Sequence, residues 1–154
     1  MDEEDGAGGG GHEELGILRS EGEYQVRNNV VLTIMSLLSI LLMTFHLTGD
    51  ITRGMEPGGL SNLIALVVIL VPWLYGTLVL AGRRSGYIIV LVWSLLGAGI
   101  PVVHMRGAGV GGEFAKSSGA FLFVWVLLAL GVTATFSVIL SARGLWSLRR
   151  GQAR

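Results

Sequence analysis

His46 and His104 are the residues of this chain whose type and placement bear most directly on chemistry. Each closes an apolar stretch, His46 lying 16 residues after Val30 and His104 lying 17 after Tyr87. If both stretches are helices running the same way, the two imidazoles stand at nearly the same depth. Asp50 follows His46 by four residues, which puts it on the same helix face, where a carboxylate can orient the ring through its second nitrogen. Met43 shares that face and Met105 adjoins His104. Imidazole with thioether suits copper, and paired imidazoles suit haem iron. The expected metal site is thus His46 and His104, with Asp50 behind them. The plainer account is that histidine is comfortable at a headgroup boundary and methionine fills gaps in a core.

Other constellations carry less. Gly107-Ala108-Gly109-Val110-Gly111-Gly112 satisfies the letter of GxGxxG. Dinucleotide binding needs a strand before that motif and a helix opening after it, and no such context surrounds this segment, which reads as a glycine loop. There is no cysteine, so disulfides, thiolate metal sites and thiol redox chemistry are excluded. No nucleophile–base pair stands out, and the chain is not expected to be an enzyme.

The elements that must position the histidines are apolar runs long enough to cross a bilayer. Residues 30–47, 60–80, 87–103 and 119–142 contain no Asp, Glu, Lys or Arg. At ~1.5 Å per residue these runs of 17 to 24 residues reach roughly 25–36 Å, against a hydrocarbon core of ~30 Å. The third is short and extends naturally to residue 105. Backbone groups in lipid must bond internally, so each run should be a helix. The expected fold is all-α: a four-helix transmembrane bundle of up-down topology. Embedded carboxylates of the kind a four-span drug/proton exchanger uses are missing, which argues against ion-coupled transport.

Charge sets the expected orientation. Eight basic residues (Arg19, Arg27, Arg83, Arg84, Arg143, Arg149, Arg150 and Arg154) flank one side of the spans, and three (Arg53, Arg106 and Lys116) flank the other. Basic residues near span ends are retained in the cytoplasm, so both termini are expected there, with the two histidines at the outer face. Ten Arg against one Lys, with 24 Gly, suggests a bacterial inner membrane protein. The first apolar run starts only at residue 30, with no basic segment leading it, and reads as an uncleaved anchor.

Eight of the eleven acidic residues lie in the first 23 positions, beside the glycine run 8–11. Residues 1–28 therefore read as a disordered acidic tail, 29–142 as the membrane domain with spans at 30–47, 60–80, 87–105 and 119–142, and 143–154 as a basic interfacial tail. The six residues between the second and third spans force an antiparallel pair, and Gly82 and Gly86 read as turn glycines. Small residues mark the expected helix contacts: Ala129, Thr133, Ser137 and Ser141 on the fourth span, and Ser94, Gly97 and Pro101 on the third. Trp73 and Trp93 should face the bundle, where their N–H groups find partners. The leading functional expectation is a non-enzymatic structural or accessory membrane protein without a cofactor, associated with the lipid bilayer and with itself or a larger complex. The alternative is a protein that binds copper, another metal or haem through His46 and His104.

Overall fold

A computed structural model describes residues 9–106 and 118–152. It consists of four helices in antiparallel succession: α1 (Gly9–Thr52), α2 (Leu60–Leu78), α3 (Arg84–Arg106) and α4 (Ser118–Gln152). All four are long and apolar enough to cross a membrane, over Gly22–Thr52, Leu60–Leu78, Arg84–His104 and Phe121–Gly151. The chain is a multi-pass membrane protein with an all-α, up-down bundle.

The helices do not form a square. The broad contacts are α4 with α3 and α4 with α1, while α2 packs on α3 and α1 from the other side. Among the described residues the α2 and α4 backbones do not come close to one another, whereas those of α1 and α3 do. The bundle is thus a rhombus whose short diagonal joins α1 to α3.

Burial follows small and hydroxyl-bearing side chains, as expected where lipid removes any hydrophobic drive between helices. Ser36, Ser39, Ser94, Ser137 and Ser141 are fully buried, as are Trp73 and Leu130. Ser39 donates to Thr133 across the α1–α4 seam at 3.0 Å. The Trp73 indole donates to Ser36 at 2.9 Å, and Ser36 shares a 2.7 Å bond with Thr77. Trp73 also anchors the apolar cluster of Ile40, Met43 and Leu130, against which Trp93 packs. Gly97 brings α3 against Trp73 and Ala134. Large apolar residues such as Leu63, Val67, Val71 and Leu78 remain exposed along α2, on the surface offered to lipid.

Two expectations are revised. Residues 9–28, expected to be disordered, are helical, and α1 runs unbroken into the first span. A helix already nucleated by its span gains one hydrogen bond for each residue it adds, so extending it costs far less than starting one. An Arg19–Glu23 ion pair at 3.2 Å supports the extension, as does a bond from Ser147 on α4 to Gln25 at 3.1 Å. Residues 1–8 lie outside the described residues. The basic segment 143–154 is likewise helical as far as Gln152. Finally, Gly82 is a turn glycine with φ +75°, but Gly86 lies inside α3, where a Cβ would strike the Leu80 carbonyl. Gly86 serves the close approach of α2 and α3.

Candidate metal centre

The end of the bundle away from both tails holds His46, Asp50 and His104. α1 continues through His46 for six more residues before Gly54, at φ +70°, turns the chain out of the helix. The Met55 amide then donates to the Asp50 carbonyl at 3.0 Å, closing the helix end. Asp50 consequently sits on the last full turn, one turn beyond His46. Its Oδ2 is 3.4 Å from His46 Nε2.

His104 reaches the same place from α3, along the short diagonal. The two imidazoles meet edge to face, with ring centroids 4.8 Å apart. His104 Nδ1 lies 3.0 Å from the Ile100 carbonyl, and donation there assigns the proton to Nδ1 and leaves Nε2 with its lone pair. One ligand atom from each of the three residues lies within 4.8 Å of the others. His46 is 3% exposed and Asp50 8%. His46 Nδ1 and Asp50 Oδ1 are buried and have no hydrogen-bond partner. A buried polar atom left without a partner costs about 1–3 kcal/mol, so two in one cluster call for an account.

Phe123 was not foreseen. It projects from α4 against both imidazoles, at 5.5 Å from His46 and 5.8 Å from His104. Gly49 faces the Phe123 ring, and a Cβ there would meet it at 3.5 Å, an ordinary van der Waals contact. Arg53 lies over the same ring at 4.2 Å and donates to the Gly119 carbonyl. The signal was depth: Phe123 lies four residues into the fourth run, level with a histidine two residues from the end of the first. Small residues on α1 and α3 do not bring the two rings together. Gly97 faces Trp73 and Ala134, Gly99 has nothing within 4 Å, and the Thr44 hydroxyl bonds to Ile40 of its own helix.

Met43 is one turn deeper, packed in the apolar cluster around Trp73. The Met105 side chain and the glycine segment 107–117 lie outside the described residues. Compared with protein-family models, with curated proteins and with solved structures, the chain matches none.

Proposed function

We propose that this membrane protein binds a divalent transition-metal ion through His46, His104 and Asp50, and that the ion joins α1 to α3. The observation carrying the proposal is the convergence of these three side chains with two buried polar atoms that lack partners. Two nitrogens and one carboxylate oxygen are the donor set of zinc and its neighbours. Bond lengths of 2.0–2.1 Å put tetrahedral ligands roughly 3.4 Å apart. One ligand atom from each residue lies within 4.8 Å of the others, so the set needs to close by no more than about 1.4 Å to reach that edge. Haem fits less well than a bare ion. Axial imidazoles stand on opposite faces of the macrocycle, whereas these rings touch and Phe123 packs against both.

The role that follows is structural and not catalytic: an accessory protein whose helix pairing is fixed by an ion. Both tails are assigned to the cytoplasm and the metal centre to the outer face, on the strength of the basic residues near the span ends. A periplasm-specific reporter should be active when fused after residue 112 and silent after residue 154. The reverse pattern would overturn the orientation without touching the site.

Purified protein dialysed against Zn2+ should retain about one equivalent by elemental analysis. His46→Ala and His104→Ala should each abolish retention. Equal retention by both variants would refute the site.

The self-association expected of an accessory protein has a footing of its own. An open apolar groove of about 400 Å³ runs between α3 and α4, lined by Pro101, Gly131, Val132 and Phe136 among others. Because the chain has no native cysteine, Val132→Cys is a clean probe. A disulfide-linked dimer formed in membranes would support self-association, and its absence would count against this face.

A further inference from the structure

We infer that Arg27 and Arg143 form a headgroup site for an anionic phospholipid at the end of the bundle that carries both tails. Two guanidinium groups converge there from different helices onto a single aromatic ring. Arg27 lies 5.9 Å from the Tyr24 centroid, one turn along α1, and Arg143 reaches the same ring from α4 at 5.8 Å. Both distances are at the outer limit of a cation–π contact, so the ring leaves most of each fork unused. Neither arginine has a carboxylate partner among the described residues. The ion pairs among the described residues are Arg19–Glu23 and His46–Asp50, and the former takes the nearby acid. Two like charges gathered about one ring, each within about 6 Å of its centroid, favour an anion nearby, and a phosphate with several acceptor oxygens is the natural acceptor for planar guanidinium forks.

The level in the membrane argues for a lipid phosphate. α2 and α3 turn back at Leu80–Arg83, and Tyr87 packs there on Gly144 and bonds to Asn29. Arg27 and Arg143 are within two residues of Asn29 and Gly144, so they stand where the apolar bundle gives way to headgroups. Exposed apolar residues lead from each arginine towards the membrane interior: Val31 and Ile34 on α1, and Ile139 and Phe136 on α4. Acyl chains lying along these residues would hang from a phosphate at the arginine pair. A soluble phosphate would use none of this surface. Arg83 and Arg84 lie near the same level on the α2–α3 turn, with no shared aromatic ring, and supply a control of equal charge.

The test is lipid retention by the full-length protein in detergent micelles, read by native mass spectrometry with added phosphatidylglycerol or phosphatidylcholine. Phosphatidylglycerol should be retained in preference, and R27Q/R143Q should weaken its retention roughly ten- to thirtyfold, as expected for two basic contacts at a membrane surface. R83Q/R84Q should change it by less than about threefold, since it leaves the convergent pair intact. Inorganic phosphate should not displace the lipid. Equal loss in the two double variants would reduce the effect to general surface charge and overturn the site. Displacement by inorganic phosphate would reassign it to a soluble anion. Equal retention of the two lipids by the unmodified protein would overturn it independently of any variant.

Discussion

Asp50 is where the chemistry of the proposed metal centre can be dissected most finely. Its carboxylate faces His46 Nε2, while the other imidazole nitrogen is buried without a partner. Two arrangements are therefore distinguishable: the carboxylate ligates the ion directly, or it orients His46 so that Nδ1 ligates. Asp50→Asn preserves volume and removes the charge. Loss of an orienting group typically weakens metal affinity by about 10–100-fold, so a direct ligand should cost more than about 100-fold in competition with a chromophoric chelator. A change below about tenfold would exclude both roles. Trp73 presents a second contest at this scale. Its N–H is bonded to Ser36 at zero exposure, yet hydrogen bonds between helices in lipid contribute only about 0.6 kcal/mol on average. Trp73→Phe also leaves a small void, and the combined loss should be about 1–2 kcal/mol, measured by unfolding in mixed micelles.

Among the helices, the contacts are controlled by residues too small to attract attention by themselves. Gly144 lets the Tyr87 ring lie flat against α4, and a Cβ there would collide with that ring. Gly131 accommodates Pro101, whose Cγ would stand 2.9 Å from an added Cβ. Gly144→Ala should therefore destabilise the bundle by about 1–3 kcal/mol, as overpacking does, while Gly99→Ala, with nothing within 4 Å, should stabilise it by up to about 1 kcal/mol. Comparing the two variants separates packing from helix propensity, which favours alanine in both. Ser137→Leu tests the hydroxyl stripe of α4 in the same way. Ser137 is fully buried and bonds to the Thr133 carbonyl, so the larger side chain should lower the unfolding midpoint; an unchanged midpoint would mean that this face meets lipid.

At the scale of the whole molecule, the rhombic arrangement would make the proposed metal centre a clasp across the short diagonal. An ion that binds the folded bundle alone stabilises it by about 2.7 kcal/mol at a hundredfold excess over its dissociation constant. Zn2+ should thus raise the thermal unfolding midpoint of the unmodified protein and leave that of His104→Ala unchanged. A rise of equal size in both would place the stabilising ion elsewhere. The opposite end of the bundle has a polar network, in which Tyr87 bonds to Asn29 and Gln25, and Gln25 in turn accepts from Ser147.

Sequence by itself determined that there are four spans, that they are helices, and that His46 and His104 share a depth. These properties follow from run length, from the absence of hydrogen-bond partners in lipid, and from the direction in which each helix crosses. The burial of Trp73, Ser94, Ser137 and Ser141 was also legible, because small or bonding side chains mark the inside of a membrane bundle. Only the tertiary structure decided which diagonal of the bundle is short. Depth along a helix is a local property, but lateral distance between helices depends on how every pair packs at once. That packing turned on Gly86 between α2 and α3 and on Gly144 beneath Tyr87, neither of which has a side chain whose periodicity could announce its partner. The convergence of Arg27 and Arg143 on Tyr24 was hidden for the same reason, being a meeting of residues from the first and last helices across a seam that neither helix specifies alone.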